Sequence, residues 1–491
     1  MLTNTSFLPG FSTLLSGRCK RSPQAVLEAR REESSGQCLD GLSQQLESEI
    51  SSELLDRHNA TQRERIYSTK VTFWAFLGQV LSEDSSCARA VARVQSWMKA
   101  AGRPTPSAAT TSYVDARQAL PTALLRDIHN SLCDQLDSIM PNSCKWRGFN
   151  VKSEDGTSAQ MPDTAANQEA YPQPNSQASG CGFPTIKLVG LIDLGHGGLR
   201  DFSESMIDTS ELRGHDLLED YLEPGDLLVA DRLYSSFELI ARLQAKGVEF
   251  VGRNHQSRKV DFRKGKKIGP DERIIEWRKP FQPPGSQLTR EQWDTLPDRL
   301  ELRIIRSKIT NREGKKQVCY FVSTLLDAVA YPCDEVASLY VHRWEIEVRL
   351  RDIKTTMGME LLRTKTPEMI RKEVLMHMIA YNAIRLLMLK AAIGCGKSPR
   401  RISFKGVIQV LEENRHGFRD VAGKPRRTTL LKENLFRRIA ERIIPDRPGR
   451  HEPRKKKRRP KSYGWLQQPR HSYFTHYRNP DPPMKILDQL A

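Results

Sequence analysis

The sequence predicts an α/β fold: an α/β core interrupted by a β-rich insertion, preceded by a helical segment and followed by a basic tail. Three observations predict it. Apolar runs of strand type alternate with helical periodicity between residues 183 and 253, two more strand-like runs lie near 300–326, and long helical patterns follow at about 334–356 and 366–393.

Taken in order, residues 1–68 are rich in Ser, Glu and Gln and predict a poorly ordered lead-in with short helices. Residues 69–145 form a helical segment: VTFWAFLGQVLS has apolar residues at helical spacing, Ser82 is placed to cap SCARAVARVQSWM, and the pattern resumes after the break at 104–112. Such short helices with tight breaks are either a DNA-reading helix-turn-helix or a plain helical subdomain. Residues 146–253 hold strands at FPTIKLVGLIDL, DLLVAD and VEFVGR, with the amphipathic helix SFELIARLQAKG between the last two. Residues 254–328 are the β-rich insertion, 329–394 return to long helices that finish the core, and 395–491 are a helical segment and basic C-terminal tail.

Composition narrows the function. The 491 residues carry 77 Lys and Arg against 59 Asp and Glu, a net charge of +18 that favours a polyanionic partner. From Arg447 to Arg478 there are eleven basic residues and one acid, so +10 of that charge sits in 32 residues. Tyr463, Trp465, Tyr473, Phe474 and Tyr477 are interleaved with those bases, a pattern suited to nucleic acid more than to a membrane surface. No stretch approaches the roughly 18 apolar residues of a membrane span, and the N-terminus lacks the basic start of a secretory signal, so a cytoplasmic protein is expected. Nine scattered cysteines without a C-x-x-C read as reduced packing thiols. His196, His215, His255 and His342 have no zinc-ligand spacing, and Ser235 and Ser236 have no nucleophile's partners.

The most informative pattern is YVHRWEIEVRLRDIK. At about 100° per residue, Tyr340, Arg343, Glu347 and Lys354 fall at roughly 0°, 300°, 340° and 320°, so all four share one helical face, with Arg351 nearby and Glu345 and Asp352 turned away. A row of cations around one acid is either a solvated face with i,i+4 pairs or part of a phosphoryl-transfer site. The second reading accounts for every residue type in the row, with carboxylates from several elements holding Mg²⁺ while Arg, Lys and Tyr grip flanking phosphates. Asp231, at the end of the strand LLVA, and Asp155, in EDGT before a turn-forming Gly, are the candidate partner acids.

The spacing Y-x2-R-x3-E-x6-K resembles the signature of DDE transposases of the fourth insertion-sequence family. TFWAFLGQVLS, SCARAVARVQSW, DGT with MPDTAANQ, GCGFP, LLVADRLYSS, LRTKTPEMIRKE, MIAYN and the PRKKKRRPKSY tail are similar to the same family, over about residues 70–390 and the tail. The resemblance implies a ribonuclease-H-like catalytic core with a β-rich insertion, an N-terminal helical DNA-binding domain over 69–145, and Mg²⁺ as cofactor, two ions with Mn²⁺ able to substitute. It implies strand cleavage and transfer at terminal inverted repeats, with double-stranded repeat and target DNA as partners, a homodimer in the synaptic complex, and a nucleoid-associated bacterial protein. By position it implies Asp155, Asp231 and Glu347 as catalytic and metal-binding acids, and Tyr340, Arg343, Lys354, Arg351 and Tyr234 as DNA-binding residues. The intervals of 76 and 116 residues leave room for the insertion before the third acid.

Departures set the alternatives. Glu154 replaces the apolar residue expected before the first acid, in a weak strand NVKSED, and reads as a solvent-facing neighbour. Asp163 and Asp193 are rivals of Asp155. Leu350 stands where relatives often carry an aromatic, a packing change. Trp277 and Trp293 in the insertion either stack on a flipped base or pack within the insertion. The reading that follows is a transposase; a catalytically inactive DNA-binding relative and a ribonuclease-H-like nuclease without repeat preference are the alternatives.

Overall fold

The computed structural model describes residues 45–59, 66–100, 102–255, 258–310, 316–420, 425–445, 466–469 and 472. Most of the basic tail and residues 1–44 of the lead-in lie outside these described residues. One mixed sheet of nine strands runs in the order β3-β2-β1-β4-β5-β9-β8-β7-β6. The strands are β1 (Asn150–Gln160), β2 (Thr185–Asp193), β3 (Leu199–Met206), β4 (Asp226–Ala230), β5 (Glu249–Arg253), β6 (Lys266–Gly269), β7 (Glu272–Arg278), β8 (Arg299–Thr310) and β9 (Lys316–Ser323). β1, β4 and β5 are parallel neighbours and the other pairings are antiparallel. The strands of the expected insertion therefore do not form a separate layer; β9 pairs with β5 and lengthens the core sheet.

Both faces of the sheet are covered, which fixes where each strand residue points. On the back, helices Glu211–Leu218 and Phe237–Ala245 bury Leu228, Ala230 and Phe250. On the front, helix Cys333–His342 covers Val151, Leu227, Val229, Val251 and Phe321. Helix Trp344–Arg351, helix Pro367–Gly394 and the N-terminal helices cover the rest of that side around Ile186, Leu188 and Ile192.

Helix Pro367–Gly394 starts where Thr366 caps the Met369 amide and Pro367 takes the first turn, where no donor is lost. Contrary to the expectation that no segment approaches a membrane span, it is long and apolar enough to be one; 94% of its apolar window is buried by the protein itself. Helices Thr69–Val80, Cys87–Ala100, Thr111–Ala119 and Thr122–Ile139 share its cluster. So do Leu46, Ile50 and Leu55 of the expected lead-in, each at most 2% exposed, held by Gln45 donating to the Leu411 carbonyl.

The helix expected over 334–356 is broken. Cys333–His342 ends at Arg343, Trp344–Arg351 follows, and Asp352–Thr356 is a π-helical turn. At the join the Ile346 amide donates to the Arg343 carbonyl, a tighter i→i+3 bond. The seven described cysteines are free thiols, as expected.

The insertion strands are tied to the core by Arg303, whose side chain is fully buried. Its Nε donates to Glu272 at 2.7 Å and its Nη1 to the Tyr331 carbonyl at 2.7 Å. Arg303→Ala is expected to lower the unfolding free energy by about 3–5 kcal/mol, because Glu272 is left charged and unpaired. Urea denaturation should show most of that loss recovered in the double variant Arg303→Met, Glu272→Met; equal losses would place the effect in the carbonyl contacts instead.

Candidate active site

Strand register brings the first two acids level. Ser153 pairs with Val229 across the parallel β1–β4 ladder, so Asp155 and Asp231 each stand two residues further on. Alternation puts both on the front face, in line with Val151 and with Leu227 and Val229 respectively. Ala230 pairs with Gly252, so Arg253 is the matching residue of β5 on that same face. Sequence reasoning missed Arg253; its place at the end of the strand VEFVGR, the same position Asp231 holds on its strand, was the available signal.

The broken helix supplies the remaining groups. Tyr340 donates from Oη to Asp231 Oδ1 at 3.4 Å and packs its ring on Phe321. Arg343 stands between acids: Nη1 is 3.8 Å from Asp155 Oδ2 and Nη2 is 3.5 Å from Glu347 Oε1. Burial opposes the Arg343 charge, but Tyr340, Asp231, Asp155 and Glu347 outweigh it and hold the guanidinium above its ordinary pKa. Burial pushes Asp155 up to about 6, against the pull of Arg343 and the Gly156 amide that donates to its Oδ1 at 2.9 Å. Burial likewise pushes Tyr340 to about 12, and the charge of Arg253 is among those that act on it.

A cavity of about 210 Å³ opens between β1 and the signature helix, lined by Asp155, Thr157, Glu347, Leu350, Arg351 and Lys354. Lys354 reaches it from the π turn, a feature that often re-aims one side chain at a functional site. Leu350 is buried against the cavity wall. Asp231 sits beside Tyr340 and is not among the residues lining the cavity.

Several expectations change. Glu154 is not solvent-facing: alternation sends it to the back, where it is fully buried and its carboxylate meets His215 Nδ1 at 2.9 Å. Tyr234 is not exposed to DNA; it is 1% exposed, packed edge-on against His215 on the back face. The cause is local chain path, since Tyr234 follows Asp231 into a 3-10 turn under helix Phe237–Ala245. Asp193 accepts the Gly195 and His196 amides of the β2–β3 turn. Asp163 accepts Gln168 at the surface, so neither rival enters the site. Trp293 is buried, and Trp277 lies under Arg258, 3.5 Å from its ring centre.

The donor set suits a hard divalent cation, being made of carboxylate oxygens. Among the described residues no three His, Cys, Asp or Glu side chains stand close enough to hold an ion as they are. Arg343 reaches both Asp155 and Glu347 in this arrangement.

Comparison with known proteins agrees with the sequence pattern. Residues 150–383 match the family model of the transposase DDE domain. Over 379 residues, 74% of this chain and 80% of the relative, the sequence is 27% identical to transposase InsG for insertion sequence element IS4 of Escherichia coli strain K12. Among solved structures, the piggyBac transposase synaptic complex with hairpin DNA matches at TM-score 0.38 and 12% identity, over 83% of this chain and 86% of that one. Over residues 150–383 the chain is similar to DDE transposases, enzymes of a class that uses divalent metal ions to cleave and transfer DNA strands. Within that class its similarity is to the transposase of the IS4 element.

The pair behind Asp155 yields a pH test. Burial lowers the His215 pKa, but Glu154 and Glu219 outweigh it and lift the imidazole to about 9. A folded value above the 6.5 of free imidazole means the stabilisation is complete below about pH 6.5 and is lost as pH rises through about 9. In denaturant titrations the stability advantage of the wild type over His215→Gln should shrink between about pH 6.5 and 9.5. A constant advantage would mean that His215 contributes packing alone.

Proposed function

We propose that this chain moves an insertion sequence by metal-dependent cleavage and transfer of DNA strands at terminal inverted repeats, with Asp155, Asp231 and Glu347 as its catalytic acids. The observation that carries the assignment is register: Asp155 and Asp231 end neighbouring parallel strands at one level and on one face, and Arg343 links that face to Glu347. Strands β1 to β5 are read as the ribonuclease-H-like core, and residues 69–145 with the basic tail as the parts that recognise the repeats, two copies of the chain holding the two ends.

The three acids would hold two Mg²⁺ ions, or Mn²⁺ in their place. When bound, the ions supply Lewis acidity on both sides of the scissile phosphorus. The chain's own residues do the rest. Arg343, ringed by acidic and phenolic neighbours, is the group that must turn from Asp155 and Glu347 toward a phosphate when the carboxylates take the cations. Lys354 and Arg351 stand on the cavity rim, where they neutralise the flanking strand. Tyr340 stays on Asp231, fixing the carboxylate's rotamer while its own proton is held by burial.

Glu347→Ala is expected to reduce nicking of a terminal-repeat duplex by at least about 100-fold, the scale of losing one preorganised charge at a reacting centre, while leaving duplex binding intact. Equal cleavage by both proteins would sink the assignment; binding by both with cleavage by neither would favour a repurposed DNA-binding relative. The raised Asp155 pKa adds a second outcome. Because the carboxylate must ionise to bind a cation, the metal concentration for half-maximal nicking should climb as pH falls below about 6, and excess metal should restore the rate.

A further inference from the structure

The chain after the central helix carries a cationic surface that the catalytic site does not use. Helix Phe404–Glu413 and helix Pro425–Ala440 return onto the main core through Val407, Leu411, Leu435 and Ile439. The outward side of the second helix and the turn after it expose Arg426, Arg427, Arg437, Arg438 and Arg442. Elsewhere several exposed arginines are neutralised: Arg147 by Glu335, Arg299 by Glu276, Arg306 by Asp271 and Arg371 by Glu204. Among the described residues these five make no ion pair, although Glu433 and Glu441 lie on the same segment. Their field is therefore left for something outside the chain.

Spacing makes the patch a surface and not scattered charge. Arg426 and Arg437 are eleven residues apart, as are Arg427 and Arg438. Eleven residues bring a helix back to the same side within about 20° after a rise of about 16 Å. Each pair of guanidinium groups thus shares one side of the helix, the two sides about 100° apart, and the two groups of a pair are far enough apart to meet phosphates several nucleotides apart along one backbone. The surface is also rigidly placed. Ile402 bridges Ile443, the Ser403 amide donates to the Arg442 carbonyl at 2.7 Å, and Arg401 donates to the Ile444 carbonyl at 3.0 Å. One residue earlier, Arg400 donates from Nε to Glu345 at 3.0 Å, and Glu345 is on the signature helix, two residues from Glu347. The Lys- and Arg-rich run of the tail begins at residue 447, directly after this element.

We propose that the face of helix Pro425–Ala440 with Arg442 is a docking surface for the phosphate backbone of duplex DNA, held at a fixed offset from the catalytic acids by Arg400 and Glu345. The proposal rests on the reading of the chain as a DNA-processing enzyme. It assigns this surface an affinity for the backbone without sequence preference, because arginines on phosphates position a duplex and do not read it.

The test uses the full chain with Arg427→Glu and Arg438→Glu combined, both exposed positions, and confirms folding by thermal melting. Binding of fluorescent terminal-repeat and unrelated duplexes is measured by anisotropy between about 50 and 200 mM salt. Loss of two phosphate contacts lowers the salt slope by about 1.8, so the wild type should lose roughly tenfold more affinity than the variant over that range. The loss at low salt should be equal on both duplexes, and the molecular mass in solution should be unchanged. Unaltered affinity and slope, with wild-type binding intact, overturn the surface alone. A changed mass with an unaltered slope also overturns it and makes the face a contact between copies. Absence of duplex binding by the wild type overturns the DNA-processing reading together with it.

Discussion

Every feature of the site depends on holding several carboxylates close together in a mostly buried place, and the chain does so by setting one cation on each side of a single strand. In front of β1, Arg343 reaches Asp155 and Glu347. Behind it, His215 meets Glu154. Consecutive acids on a strand covered on both faces must go to opposite sides, so each needs its own counter-charge, and each has one. A buried charge stripped of its partner costs several kcal/mol, which is why the strand tolerates Glu154 only with His215 beneath it and Arg242 bracing Glu219 from the next helix.

The two cations are not equivalent. His215 is enclosed between helix and sheet, with Tyr234 against its ring, and its contacts stay within the protein. Arg343 lies near the wall of an open cavity and its Nε has no hydrogen-bond partner among the described residues. A guanidinium that is charged, incompletely satisfied and close to solvent is the one able to exchange a carboxylate for a phosphate, since its fork matches either. The helix breaks at Arg343 and again in the π turn at Asp352–Thr356. Across both irregularities Arg343 still meets Asp155 of β1 and Lys354 still lines the cavity.

Much of this was readable before any coordinates. The stripe of Tyr340, Arg343, Glu347 and Lys354 survives the irregularities because each is confined to about one turn, and Asp231 was placed correctly at a strand end by the apolar run before it. What alternation alone decides was not readable from composition: NVKSED reads only as a weak strand without an apolar pattern, so the burial of Glu154 could not be seen, and the 3-10 turn that hides Tyr234 left no mark in the sequence. Arg253 went unnoticed since its value comes from register with β4, a relation between residues far apart in sequence. The β-rich insertion was legible from its two strand-like runs, but that β9 pairs with β5 through backbone groups is a relation composition does not report.

The central helix Pro367–Gly394 explains why such distant pieces keep their geometry. Asn382 donates to the Leu199 carbonyl, Tyr381 to that of Gly197, and Arg385 to that of His196, so two successive turns of one helix brace the corner between β2 and β3, beside the strand that carries Asp155. Lys372 of the same helix donates to Gln118, and Lys390 pairs with Glu49, which ties the N-terminal helices to that brace. The helix is apolar enough for a membrane because it is surrounded by sheet, N-terminal helices and C-terminal helices at once, and a span that touches everything has no polar side to offer. Its burial makes the strand that carries Asp155, the N-terminal helices and the arginine-bearing C-terminal helix one body, so the distance from any surface of that body to Asp155 and Glu347 is set by packing.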